Sequence, residues 1–295
     1  MGFFKKYCKN ISVRKIQYSL QCSGNTELTW ASSKGYLQRV KYLIENENKD
    51  INENKDINEK NNGGYTALMM ACKNNQCDII TYLVQRGASV NETNNDNDTA
   101  LMIASKIGHY SIANFLIYYG AKINEQNIEG NTALMMASVF GFSKVVNVLT
   151  NAGADTNIIN KNGDTALLLV SSLMFDYIPK DKYLETITYL INNNANMHAR
   201  DKHGNTPLLR TYNSHGFYNY TGNVDIAMHL IEKGANIHDK NNFGQTIVIC
   251  AARCHHTGFV TYLAKNNANL YEKDMYGHNA LNYTCHNNHS DWSCD

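Results

Sequence analysis

Only two of the 295 residues are prolines, and no Pro-rich or Gly/Ser-rich stretch divides the chain. Separate domains strung on flexible linkers are therefore not expected. Charge of one sign is lacking too, with 27 basic residues against 26 acidic ones. So balanced a chain has no strong electrostatic pull toward nucleic acid or an anionic membrane. No apolar run approaches the roughly 18 residues of a membrane helix. Residues 1–10 hold two phenylalanines and three lysines but no apolar core, which argues against a signal peptide. Nor does the region after Gly2 offer the hydroxyl residue expected for myristoylation, since Lys6 and Tyr7 stand there.

The eight cysteines, Cys8, Cys22, Cys72, Cys77, Cys250, Cys254, Cys285 and Cys294, show no disulfide-framework spacing. These absences together lead us to expect a reducing, intracellular compartment, the cytoplasm in the first instance, and unused sequons such as Asn91-Glu92-Thr93. Phosphate-binding loops, nucleophile elbows and H-E-x-x-H zinc motifs are also missing.

What the chain does contain is a recurring six-residue phrase. It reads T-E-L-T-W-A from Thr26, T-A-L-M-M-A from Thr66, T-A-L-M-I-A from Thr99 and T-A-L-M-M-A from Thr132. It continues as T-A-L-L-L-V from Thr165 and T-P-L-L-R-T from Thr206, then degrades to T-I-V-I-C-A from Thr246 and N-A-L-N-Y-T from Asn279. Successive starts lie 40, 33, 33, 33, 41, 40 and 33 residues apart. A period near 33 means stacked small units, each packing on its neighbours, rather than one globular core. Asparagine is abundant, with 42 residues clustered between the phrases.

One unit shows the physics. Thr99 is positioned as an N-cap whose hydroxyl accepts an orphan amide of the first turn. Ala100–Lys106 reads as a short helix with Leu101, Ala104 and Ser105 inward, small enough for the next unit to approach. Gly108-His109 ends it. A second helix follows, with Ile112, Ala113, Phe115 and Leu116 at helical spacing, and Gly120 closes it. An extended turn, or finger, then leads to the next threonine. Gly64, Gly130, Gly163, Gly204, Gly244 and Gly277 share one finger position that calls for positive φ, and Asn97 takes their place in the third unit.

The unit resembles the ankyrin repeat, and the match runs over about residues 26 to 291. In the third unit the residues that carry the resemblance are Thr99, Leu101, Ala104, Gly108, His109, Ile112, Leu116, Gly120, Ala121 and Asn124. Two departures recur. Alanine replaces the motif's proline at Ala67, Ala100, Ala133 and Ala166, at little cost to the helix. The motif's histidine becomes Met69, Met102, Met135, Leu168, Leu209 and Ile249, exchanging a polar link for apolar packing. The Asn-rich style is similar to that of the ankyrin-repeat proteins of giant amoeba-infecting DNA viruses.

The expected fold is thus all-α: an ankyrin-repeat solenoid of about eight helix-turn-helix units with extended fingers. It spans residues 26–295 after a capping segment, residues 1–25, with an amphipathic helix over Phe3–Leu20. The resemblance implies a non-enzymatic scaffold that binds a partner protein on its concave face and finger tips. It implies no cofactor, no nucleic acid and no membrane, and an elongated monomer. A viral origin would place it in host-cell cytoplasm facing a host protein. The rival readings are an adaptor recruiting substrates to a host ubiquitin or signalling complex, and a small metal-dependent enzyme.

Partner-facing positions are mostly polar in the early units, at Asn95, Asp96, Asp98 and Lys106. Apolar residues gather at Ile107, Ile128, Val139, Phe140 and Leu173, and again at the late finger tips Phe243, Met275 and Tyr276. Contiguous exposed apolar surface marks an interface, so these eight are the candidate partner-binding residues. Three spacings exceed the period. The first contains a tandem copy, Glu47–Asn52 and Glu53–Asn58. The other two fall between paired helices near Leu173–Asp181 and His215–Thr221, and bring Phe175, Tyr177, Tyr183, Phe217, Tyr218 and Tyr220. These aromatics either pack on one another or form a binding ridge. Metal chemistry could rest only on Cys250, Cys254, His255, His256, Cys285, His286, His289 and Cys294. Their irregular spacing matches no zinc motif, so no metal ligand and no catalytic residue is assigned.

Overall fold

The structure, a computed structural model, describes residues 24–46, 56–172, 179–212 and 222–285. The helix expected over 3–20, most of the tandem copy, Leu173, Phe175, Tyr177, Phe217, Tyr218, Tyr220, His286, His289 and Cys294 lie outside the described residues.

The first repeats supply six helices in a short-then-longer alternation: α1 (Glu27–Lys34), α2 (Leu37–Asn46), α3 (Ala67–Lys73), α4 (Cys77–Gln85), α5 (Ala100–Ile107) and α6 (Tyr110–Tyr118). Among the described residues nine more follow: α7 (Ala133–Val139), α8 (Ser143–Asn151), α9 (Ala166–Ser171), α10 (Lys180–Asn192), α11 (Pro207–Arg210), α12 (Val224–Glu232), α13 (Ile247–Arg253), α14 (Thr257–Lys265) and α15 (Ala280–Cys285). The only β pairing among the described residues is a single bridge between Thr93 and Thr99. The chain divides into two compact units, Met1–Ile128 and Glu129–Asp295. In the first, α1 packs on α3 and α3 on α5; in the second, α7, α9 and α11 stack in order, as do α8, α10 and α12.

The repeated phrase sets where each first helix begins. Thr26, Thr66, Thr99, Thr132, Thr165 and Thr206 each hold extended φ/ψ and accept the amide three residues on. Such a cap stabilises a helix start by about 1 kcal/mol. Thr246, in a degraded copy, has the same backbone but makes no side-chain cap bond. The helix after Thr99 runs one residue past the expected end, to Ile107, where Gly108 at φ 84° closes it.

The inward positions are as expected. Leu101, Ala104 and Ser105 are fully buried. Met69, Met102, Met135, Leu168, Leu209 and Ile249, which stand where the motif has histidine, are each no more than 1% exposed. Burying such a side chain contributes about 1.5–3 kcal/mol, so these positions belong to the core between stacked repeats. Asn97 has φ 60°, in line with the glycines at its finger position. The two insertions fall between paired helices, after α9 and after α11. Tyr183 does not join a surface ridge. It lies in the first turns of α10 and is 4% exposed, because the helix begins early enough to turn that ring inward.

Candidate functional site

The fingers of the second unit are built by one local device. Asn160 opens the first of them, its Oδ1 accepting the N–H groups of Asn162 and Asp164, both at 2.9 Å. Asp201 opens the next, and its Oδ1 accepts the backbone N–H groups of His203 and Asn205, both at 2.8 Å. Asn241 does the same for Phe243 and Gln245, both at 3.0 Å. Asp274 repeats it for Tyr276 and His278, both at 3.0 Å. A short polar side chain that captures two amides of its own turn holds an Asx-type loop closed. The two residues at each tip then point away from the turn.

Neighbouring tips are tied through the main chain. The Asn242 N–H donates to the His203 carbonyl at 3.0 Å, and the Met275 N–H donates to the Phe243 carbonyl at 2.9 Å. Close approach is possible because Gly204 and Gly244 carry no side chain. A Cβ on Gly204 would stand 2.9 Å from the Asn242 nitrogen, and one on Gly244 would stand 3.2 Å from the Met275 nitrogen. The result is a row of outward side chains. The His203 and Phe243 rings stack with centroids 6.4 Å apart. Phe243 is 39% exposed, Met275 62% and Tyr276 66%.

The remaining expected residues are placed differently. Ile107 ends α5 and Ile128 sits on a finger, its N–H donating to the Asp96 carbonyl at 2.9 Å, both in the first unit. Both are exposed. Val139 and Phe140, in the second unit, are half-buried, and Phe140 stacks on Phe142 at 5.9 Å. Leu173 lies outside the described residues.

One feature of this region escaped sequence reasoning. Arg210 is 1% exposed, at a phrase position held elsewhere by Met70, Ile103, Met136, Leu169 and Cys250. Its guanidinium bridges Asp201 and lies 3.2 Å from Asp164. Burial pushes the Asp201 carboxyl up, but the bonds from Asn205 and the Arg210 charge outweigh it and hold the group below the usual carboxylate range. No ladder bond joins the tip at Lys161-Asn162 to the tip at Lys202-His203, so buried charge links those two fingers. The readable signal was an arginine in an otherwise apolar column.

The C-terminal Cys/His cluster is largely structural where it is described. The Tyr212 hydroxyl pairs with His256 Nδ1 at 2.8 Å, and the Tyr212 ring stacks on Phe259 at 5.9 Å. Burial pushes the Cys254 thiol up, away from the low value that a reactive nucleophile needs. Among the described residues no three His, Cys, Asp or Glu side chains are grouped to hold a metal ion. No helix there is long and apolar enough to cross a membrane.

No curated protein matches the chain in sequence. Solved structures do: 567 chains match, and so broad a likeness singles out no activity. One of them, the crystal structure of the human ASB11 ankyrin repeat domain, superposes at a TM-score of 0.62 over 76% of this chain and 90% of that one. At 19% identity the similarity speaks for the fold alone. The family profile described as ankyrin repeats in three copies matches residues 8–94, 28–127, 101–177 and 217–292. With most of its length so matched, the chain belongs to the ankyrin-repeat family.

Proposed function

We propose that the chain is a non-enzymatic scaffold that binds a partner protein, with Phe243, Met275 and Tyr276 as anchors on the fingers of the second unit. One observation carries the reading. Exposed apolar side chains stand on consecutive fingers whose spacing is fixed by main-chain hydrogen bonds. Large apolar and aromatic side chains on a preorganised frame are the usual hot spots of an interface, because little ordering entropy is lost when they are buried. Isolated exposed apolar residues would mean little, whereas neighbours in a row form a patch. Ile107, Ile128, Val139, Phe140 and Leu173 are proposed as a further contact region.

Affinity capture with the full chain as bait tests this. Truncating a hot-spot anchor costs about 2 kcal/mol, roughly thirty-fold in affinity. The double variant Phe243→Ala/Tyr276→Ala should lose a partner that the wild type retains, with its circular dichroism unchanged. Undiminished capture of every partner by the folded variant would overturn the reading for these fingers.

A further inference from the structure

The charges around the finger row are not distributed as its sequence implies. Across residues 198–205, 238–245 and 271–278 there are four acids, and each is already engaged. Asp201 holds its own turn and Arg210. Asp239 faces Arg200 at 3.6 Å and His198 at 3.5 Å. Glu272 pairs with Lys240 at 3.1 Å. Asp274 spends Oδ1 on its own turn and accepts the Tyr283 hydroxyl on Oδ2 at 2.7 Å. Lys202 and Lys273 remain, both exposed and without an ion pair among the described residues. Lys202 precedes His203, and Lys273 lies two residues before Met275. Four Lys or Arg stand against these four acids, so the stretches are balanced in charge, but the acids are buried or paired while Lys202 and Lys273 are exposed.

We propose that this row takes an extended protein segment in which carboxylates stand beside aliphatic or aromatic side chains. The inference rests on the reading of these fingers as a binding surface and adds the chemistry of what they bind. Phe243, Met275 and Tyr276 supply apolar burial. Lys202 and Lys273 supply attraction to carboxylates and penalise a basic segment, since like charges brought together at an interface are strongly unfavourable.

The full chain is panned against a phage-displayed library of random dodecapeptides, and the enriched peptides are titrated by fluorescence anisotropy. We expect enriched sequences to carry Asp or Glu within two positions of Leu, Ile, Phe or Trp. The pair Lys202→Glu/Lys273→Glu should weaken such a peptide about tenfold, and raising salt from about 50 to 500 mM should weaken it several-fold. Enrichment of basic or uncharged peptides, no enrichment at all, or indifference of the affinity to the charge reversals overturns the inference. The variant Phe243→Ala/Tyr276→Ala separates the two claims. If it binds the acidic peptides as tightly as wild type, the finger reading itself fails. If it loses them while the charge reversals do nothing, the fingers bind and only the acidic selection is wrong.

Discussion

Asn241 donates its side-chain amide to Oδ1 of Asn205 in the preceding repeat, 3.0 Å away. The same two positions meet elsewhere: Asn61 donates to Asn25 at 2.7 Å, Asn127 to Asp98 at 2.9 Å and Asn160 to Asn131 at 2.9 Å. The donor opens a finger, and the acceptor stands just before the capping threonine of the previous repeat. Asn61, Asn160 and Asn241 therefore each close their own finger through Oδ1 and join it to its neighbour through Nδ2. At one junction the acceptor is missing. Tyr65 stands where an Asn or Asp is needed, and the buried Nδ2 of Asn94 has no hydrogen-bond partner.

Tyr65→Asn should repair that junction. A buried donor left unsatisfied costs about 1–3 kcal/mol. Against the gain stands the loss of the Lys73 ammonium over the Tyr65 ring, 5.3 Å from its centroid, which at an exposed site contributes about 0.5–1 kcal/mol. We expect a net stabilisation on the order of 1 kcal/mol, read as a higher urea midpoint at unchanged slope. A midpoint at or below wild type would show that Asn94 does not need this partner.

A second junction departs from the rule in the opposite way, with acids at both positions, Asp164 and Asp201. Arg210 stands between them and offsets their repulsion. Arg210→Met should cost about 3–5 kcal/mol, since it leaves buried carboxylates without a counter-charge. Adding Asp201→Asn should restore most of that loss, because an amide then faces Asp164 as at the other junctions. The depressed value of Asp201 also fixes a pH dependence. Its stabilisation is fully present above the unfolded carboxylate value of about 3.9 and is lost as pH falls through the lower folded value. Acid denaturation of wild type and of Asp201→Asn, compared by circular dichroism, should show the steeper loss in wild type. Equal stability of Arg210→Met and wild type would refute the assignment.

His255 offers a third test. It holds φ 59° between α13 and α14, where Gly35, Gly108 and Gly141 occupy the same place in other repeats. A left-handed conformation costs a residue with a Cβ about 1–2 kcal/mol. His255→Gly should therefore stabilise the C-terminal repeats by about 1 kcal/mol, the greater freedom of unfolded glycine taking back part of the gain. Hydrogen exchange over residues 246–285 should slow. Faster exchange would show that the contacts of the imidazole outweigh the strain.

The helices and their caps were legible in the sequence because both depend on neighbours within a few residues. The capping threonines, the buried methionines and Asn97 in the glycine position all follow from local rules. The asparagine pairs were not legible, although the residues were in plain view. Their abundance could be read as bias of composition until the structure put Asn205 beside Asn241, 36 residues away in sequence. Arg210 was missed for the same reason, since its partners lie on two different fingers. At the proposed site, the exposure of Phe243, Met275 and Tyr276 followed from their place on the tips. That Lys202 and Lys273 are left exposed beside them, unpaired among the described residues, did not, since it depends on which acids are already engaged.

The cysteines give the last test, because their environments differ sharply within one chain. Cys77 is exposed at the start of α4, whereas Cys72, Cys250 and Cys254 are buried. Burial pushes the Cys72 thiol far up, with a smaller contribution from Cys77, and pushes the Cys254 thiol up despite the nearby Arg253 charge. A maleimide reagent attacks the thiolate, so access disfavours all three buried positions and ionisation further disfavours Cys72 and Cys254. They react only when the repeat opens, and an opening that costs about 3 kcal/mol slows labelling more than a hundredfold. Timed labelling of the native protein, followed by peptide mass spectrometry, should show Cys77 modified first and the other three at least about a hundredfold later. The peptide map keeps them apart from Cys8, Cys22, Cys285 and Cys294. Equal rates at Cys77 and Cys254 would mean that α13 is open in solution, and would remove the rigid support that the finger row at Phe243 and Tyr276 requires.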